Sequence, residues 1–297
     1  MQVVVAGSSG FLGTALRDRL ARDGHDVVRL VRGSASTPSE SAWDPAAGQV
    51  DDELIGSADA VVNLAGASMT RWPRTESYKQ TILDSRLATT ETLAAAIART
   101  GGSTMLVNAS GADAYGTPGD AVCTESTPPR GETFLSGVVR QWEGATTAAS
   151  DAGARVVMLR SGAVLHRDGG AVRVMQIPFR LGLGGRVSSG RQWFPWISRD
   201  DWVGAVVFLL TQPETAGPVN LVGPEPVTNA ELTSALGEVL HRPTVLVAPA
   251  LPLRLVAGDL ANQVLGSLRV VPAVLTDAGY SFQHPEIRSA LAAAFNR

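Results

Sequence analysis

Cysteine and lysine are nearly absent from this sequence. Cys123 is the single cysteine in 297 residues, which excludes a disulfide framework and a cysteine-built metal cluster. Lys79 is the single lysine, so 24 of the 25 basic residues are arginines. Any chemistry that needs a lysine has one position to draw on. The four histidines, His25, His166, His241 and His284, are scattered without ligand spacing, which points to turn or surface roles and no metal site. No apolar run is long enough to span a bilayer, and the chain enters its first strand almost at once, so neither a membrane helix nor a signal peptide is expected. A formal net charge of −3 points to neither nucleic acid nor an anionic membrane. The expectation is a soluble, cytoplasmic protein, monomer or homodimer, whose partner is a small molecule.

What the sequence does have is core and glycine. Hydrophobic residues make up 44%, ample for one large domain or a nucleotide-binding domain with a smaller companion. The organising stretch is Val3-Val4-Val5-Ala6-Gly7-Ser8-Ser9-Gly10-Phe11-Leu12-Gly13. A β-branched run breaks into glycines spaced G-x-x-G-x-x-G, and a helical pattern follows with Leu12, Leu16 and Leu20 on one face. Strand, glycine turn and helix together suit a dinucleotide. Gly7 permits the tight turn, Gly10 lets a pyrophosphate approach the backbone, and Gly13 lets helix and strand pack closely. The helix N-terminus adds free N–H groups and partial positive charge.

A second strand is expected at 26–31, ending at Arg32. NAD-binding chains place Asp or Glu here for the ribose hydroxyls, whereas an arginine pairs with the 2′-phosphate of NADP. No acidic residue follows Arg32 directly, so NADP(H) is the expected cofactor. Further strands are expected at 60–64, running into the small residues Ala65-Gly66-Ala67, at 105–107, at 155–162 and at 220–224. Helical patterns fall at 76–98, around Phe134 to Glu143, at 203–210 with an aspartate (Asp200 or Asp201) as cap, and from an Asn229 cap onward; a further strand is expected at 244–247. The alternation reads as an α/β fold, a Rossmann-type doubly wound parallel sheet. Residues 1–165, with 198–222 completing the sheet, form the cofactor domain. Residues 166–197 and 223–297 form a small substrate or lid domain.

At this point the residues resemble the short-chain dehydrogenase/reductase superfamily in its extended form, in an atypical "epimerase family protein" branch similar to NAD-dependent epimerases and dehydratases. The resemblance rests on Gly7 to Gly13, Asn63-Leu64-Ala65-Gly66, Arg71-Trp72, Ser85-Arg86, Trp142-Glu143, Arg160-Ser161-Gly162, Pro178 to Gly185, Gly190-Arg191-Gln192 and Trp196-Ile197. Pro226 to Asn229, Arg242-Pro243, Arg269-Val270, Pro272, Gly279 to Phe282 and Pro285 extend it through nearly the whole chain. It implies an NADP(H)-binding fold without naming a substrate. The residues expected around the cofactor are Gly7, Ser9, Gly10, Phe11, Leu12, Gly13, Val31, Arg32, Leu64, Ala65, Gly66, Thr81, Arg86, Ser110 and Val164. One departure is local: Asp113 and Ala114 stand where the branch carries glycine and tyrosine before Tyr115-Gly116.

Ordinary members of the superfamily use Ser, Tyr and Lys, the last two spaced Y-x-x-x-K. The lysine lowers the pKa of a phenol that otherwise titrates near ~10. This chain has no such pair, because the residue four before Lys79 is Thr75. Aligning the helix puts Phe134 and Val138, or Leu135 and Val139, at those positions. Ser110 and Tyr115 remain as catalytic candidates, with Asp113, Glu125 and Glu132 as loop carboxylates. Arg186, Arg191, Trp193 and Trp196 have the composition of a pocket for an anionic, partly flat substrate. Two functions stay open: an NADP(H)-dependent oxidoreductase or epimerase-like enzyme, and a cofactor-binding sensor without turnover.

Overall fold

The computed structural model describes residues 1–69, 71, 74–131, 133–250 and 265–295. The first strand, β1 (Gln2–Ala6), buries Val3, Val4, Val5 and Ala6 completely, as a central strand covered on both faces requires. It pairs in parallel with β2 (Asp26–Arg32) on one side and β4 (Ala60–Asn63) on the other. Outward lie β3 (Glu40–Trp43), parallel to β2, and β5 (Met105–Gly111), parallel to β4. The strands Val156–Ser161 and Gly217–Leu221 complete seven, with β1 third from the β3 edge and β4 next to it. The chain order therefore reverses between β1 and β4, the switch point at which an open α/β sheet binds its ligand.

Helices cover the sheet. α1 (Phe11–Arg22) buries Gly13, Leu16 and Leu20. The short α2 (Asp52–Ser57) is capped by Asp51, whose carboxylate accepts from the N–H groups of Glu53 and Leu54. The long α3 (Glu76–Arg99), capped by Thr75, sends Leu93, Ala94 and Ile97 into a core shared with Val4, Val61, Leu106, Ile55 and Trp43. No helix among the described residues is long and apolar enough to cross a membrane.

The chain divides into two compact units. The first comprises 1–110, 138–159 and 206–218, and contains the cofactor loop, β1 to β4, nearly all of β5 and all of α1 to α3. The second comprises 111–137, 160–205 and 219–297, with its own core of Leu165, Val172, Phe179, Trp196, Leu232, Leu236 and Leu291. It is built from helices and two-stranded pairs. Ala163–Leu165 runs parallel to Trp196–Ser198, Gly185–Val187 parallel to Leu246–Ala248, and Gly119–Cys123 parallel to Leu268–Val270.

The structure differs from the expected elements in four places. β3 was not expected. It forms because Glu40 to Trp43 fall into register with Arg29 to Arg32, with Arg29 paired to Glu40 at 2.6 Å. The last sheet strand lies at Gly217–Leu221, earlier than expected. The helix Arg199–Leu210 is capped by Ser198 rather than by an aspartate: the Asp201 N–H donates to Ser198 Oγ, whose hydroxyl donates to Asp201 Oδ2. Asp201 instead lies at the third helical position and is fully buried. Likewise Thr228, not Asn229, caps the helix Asn229–Leu240, through a capping box with Glu231.

Candidate cofactor site

The cradle follows directly from the glycines. Gly7 has φ +79°, and a Cβ there would lie 2.7 Å from the Leu64 carbonyl carbon. A Cβ on Gly13 would lie 2.1 Å from the Gly7 oxygen. Both positions thus exclude any side chain, because backbone occupies the space. The Gly10 N–H closes the turn on Gly7 O at 3.0 Å. Gly10 is also the N-cap of α1, with no side-chain cap and no acidic residue in the first turn. Phe11, Leu12 and Gly13 form that first turn, and Ser9 and Gly10 are exposed beside it. An uncapped helix N-terminus under a glycine turn fits a pyrophosphate.

The flanking strand ends supply the rest. Val31 is half-buried at the end of β2, and Arg32 is exposed. Arg29 is held by Glu40, whereas Arg32 has no ion-pair partner among the described residues. On the other side, Leu64 donates its N–H to Ala6 O at 3.0 Å, which ties the loop after β4 to the end of β1. The Asn63 side chain fixes the next residue: its Oδ1 accepts from the Ala65 N–H at 3.2 Å, while its Nδ2 donates to Asn108 Oδ1 at 2.7 Å and Thr90 Oγ1 at 3.0 Å. Trp142 Nε1 also donates to Thr90 Oγ1, at 3.0 Å. This network is buried and joins β4, β5, α3 and the helix Phe134–Gly144. Gly66 is exposed, and Ala67 donates its N–H to Ser85 Oγ at 2.9 Å.

Arg86 and Ser110 are the remaining expected site residues of the first unit. Arg86 is 7% exposed. It donates to Ala67 O and Ile82 O and lies 4.8 Å over the Trp142 ring. Burial lowers its guanidinium to about 10. Ser110, at the end of β5, donates to Glu143 Oε1 at 2.6 Å, a charge-assisted hydrogen bond. Leu135, Val138 and Val139, at the helix positions aligned with the usual tyrosine and lysine, are buried apolar residues. Lys79 is paired with Glu76 at 2.8 Å. Thr81 is exposed and its hydroxyl donates back to Ser77 O.

Within the second unit the predicted residues have mixed placements. Tyr115 is 2% exposed, and its hydroxyl donates to Asn220 Oδ1 at 2.7 Å. Burial pushes the phenol up, and the Arg160 guanidinium, 5.0 Å from the ring centre, does not reverse it. That is a packed, protonated tyrosine. Glu125 accepts backbone N–H groups from Asn220 and Val274. Asp113 lies in the 3-10 turn Ala112–Tyr115; Glu132 falls outside the described residues. Val164 pairs with Ile197. Arg186 and Arg191 are exposed. Trp193 donates to Asp120 Oδ1 at 2.9 Å and is stacked by Arg269 at 4.4 Å. Trp196 has another use: it is 1% exposed in the unit's core, with its ring against Gly223 and its Nε1 on Glu225 O.

Glu143, Thr90, Asn63 and Asn108 were not expected as site residues. The two asparagines carried a readable signal, since each follows directly on an apolar β-type run and a buried amide needs partners. Glu143 carried none, because its contact with Ser110 spans 33 residues.

Comparison with known proteins identifies the family of the chain. The sequence model of the "NAD dependent epimerase/dehydratase family" matches residues 3–223, and that of a domain of unknown function, DUF1731, matches 248–294. "Epimerase family protein Mb2239" of Mycobacterium bovis is 42% identical over 296 residues, covering 99% of this chain and 98% of the relative. The crystal structure of human epimerase family protein SDR39U1 (isoform2) with NADPH superposes with a TM-score of 0.87 at 35% identity, covering 100% of both chains. A nucleoside-diphosphate sugar epimerase from Corynebacterium glutamicum gives a TM-score of 0.80 at 32% identity, over 99% of this chain and 58% of that one. With its Rossmann sheet, glycine cradle and near full-length relatives, the chain belongs to the NAD-dependent epimerase/dehydratase family of short-chain dehydrogenase/reductase-type proteins.

Proposed function

We propose that this protein binds NADP(H) and acts as an oxidoreductase on a small anionic molecule, with Ser110 and Glu143 handling the proton. The cofactor part is supported by the Gly7–Gly13 cradle, the unpaired Arg32 at the end of β2 and the NADPH in the human relative's crystal structure. Bound NADP(H) supplies or accepts a hydride. The observation that carries the chemistry is the 2.6 Å hydrogen bond from Ser110 Oγ to Glu143 Oε1. A hydroxyl that donates to a carboxylate keeps its own oxygen available to accept a proton from a substrate hydroxyl, while its proton passes to Glu143. In carbonyl reduction the transfer runs in reverse, Ser110 giving its proton to the carbonyl oxygen and regaining one from protonated Glu143. Arg186 and Arg191, exposed cations of the second unit, support an anionic substrate class.

A second reading, a cofactor-binding sensor without turnover, has one observation in its favour: Leu135, Val138 and Val139 leave no ionisable group at the usual relay positions. General acid–base help is worth about 10²–10⁴-fold, so ordinary alcohols and sugar nucleotides should not turn over briskly. The test follows NADPH absorbance with a panel of neutral and carboxylated carbonyl compounds, in wild type, Ser110→Ala and Glu143→Gln. Oxidation confined to anionic carbonyls and lost in both variants supports the enzyme. NADPH binding with no oxidation by any compound supports the sensor.

A further inference from the structure

The net charge of −3 averages over a chain whose charges are segregated. Between Asp168 and Asp200 there is no aspartate or glutamate, while Arg173, Arg180, Arg186, Arg191 and Arg199 all fall there. The first part of this stretch is the helix Gly170–Arg180, which packs Val172 and Phe179 into the second unit's core. Its other face is turned outward, with Ile177 55% exposed; in the turn that follows, Leu181 is 70% and Leu183 61% exposed. The Leu183 N–H folds back onto Pro178 O, which holds that turn against the end of the helix. Gly185–Val187 follows and pairs with Leu246–Ala248, whose residues are all exposed; Val245 before it is 83% exposed. Arg173 and Arg180 lie within one helical turn of Ile177, and Arg186 stands opposite Val247.

Exposed aliphatic side chains grouped on a helix end, the turn after it and the strand pair that follows mark an interaction, whereas singly scattered ones do not. The chemistry on the page decides among occupants. A second copy docking on the same face would bring arginines against arginines about a two-fold axis. The exposed side chains are valine, leucine and isoleucine, which offer a nucleic acid no ring to stack a base on. Protein hot spots rely on tryptophan, tyrosine and arginine, with leucine and valine under-represented. Aliphatic side chains bordered by arginines, without a carboxylate between Asp168 and Asp200, match the interface of an anionic bilayer, where the apolar face enters the acyl boundary and the cations meet the headgroups. We propose that the face formed by Ile177, Leu181, Leu183 and Val245 to Val247 docks peripherally on an anionic lipid surface. The inference is independent of the cofactor reading.

The experiment is co-sedimentation of the full chain with phosphatidylglycerol/phosphatidylcholine vesicles and with phosphatidylcholine vesicles alone, at low and high salt. Expected is binding to the anionic vesicles that weakens as salt rises. The paired substitution Ile177→Glu/Leu181→Glu should weaken it more than tenfold, and Arg173→Gln/Arg180→Gln by about tenfold. Melting curves and NADPH affinity are followed in the same variants. No sedimentation with either vesicle overturns the proposal, as does equal binding to both. Concentration-dependent self-association abolished by the same substitutions overturns it in favour of a second copy. An earlier melt in Ile177→Glu/Leu181→Glu overturns it too, because it shows the face is already covered.

Discussion

Replacing Asn63 with alanine removes a side chain that ties the loop after β4 to both β5 and α3. Its amide makes three hydrogen bonds, to Ala65 N–H, Asn108 Oδ1 and Thr90 Oγ1, and the side chain is fully buried. A net ~0.5–1.5 kcal/mol per bond, with the Ala65 N–H losing its acceptor and a small cavity left behind, gives about 2–4 kcal/mol of lost stability. Against a typical total of ~5–15 kcal/mol this is a large fraction. Asn63→Asp should cost more, because it sets a carboxylate oxygen against Asn108 Oδ1 at the position where an N–H now donates at 2.7 Å. Urea titration reads both variants as a drop in midpoint at unchanged slope. Cofactor affinity should fall as well, since the Ala65–Gly66 backbone loses its anchor. A change under ~0.5 kcal/mol for Asn63→Ala, or an Asn63→Asp protein as stable as wild type, would refute the reasoning.

Three other substitutions probe separate parts of the molecule. Gly13→Ala places a Cβ 2.1 Å from Gly7 O; binding of any dinucleotide should be abolished and the melting temperature lowered, and a variant that binds normally contradicts the cradle. Tyr115→Phe strips Asn220 Oδ1 of its donor and should cost about 1–3 kcal/mol. Burial raises the Tyr115 pKa above 10.0, so the unfolded chain gives up this proton first. The stability it contributes is present below pH ~10 and is lost as pH rises through the folded value. Wild type should therefore lose more stability than Tyr115→Phe above that pH, and parallel curves would contradict this. Asp201→Ala removes the acceptor of the Gln283 and His284 N–H groups, at 2.6 and 3.0 Å, and of Ser198 Oγ. At about 1.5–3 kcal/mol for each hydrogen bond to a charged group, chemical denaturation should show a loss of several kcal/mol; less than ~1 kcal/mol would mean the C-terminal loop holds itself.

The readable parts of this sequence were those whose cause is local. The β1 turn and α1 are specified by glycines three residues apart, and those glycines are required by backbone within a few residues and by Leu64. The extent of α3 was likewise legible, from the apolar residues that recur between Glu76 and Ala98. β3 was not, because Glu40 to Trp43 has no strand pattern of its own and becomes a strand by pairing with β2. The caps were misread where two cap-competent residues are neighbours, as at Thr228 and Asn229. Local chemistry is satisfied by either, and Asn229 is drawn away by the Val187 N–H at 2.8 Å. In the candidate site, the geometry of the glycine turn was legible and the Ser110–Glu143 pair was not. A side-chain contact between a strand end and a helix is set by packing and leaves no spacing to read.

The central claim, an NADP(H) site closed by Arg32, is tested most directly by titrating NADPH and NADH into wild type and Arg32→Ala and following nicotinamide fluorescence. A charge-assisted pair with the 2′-phosphate contributes on the order of 1.5–3 kcal/mol, or about 10- to 150-fold. Wild type should prefer NADPH by that factor. Arg32→Ala should lose most of the preference while NADH affinity stays unchanged. Equal affinities in wild type, or a preference that survives Arg32→Ala, would contradict the account.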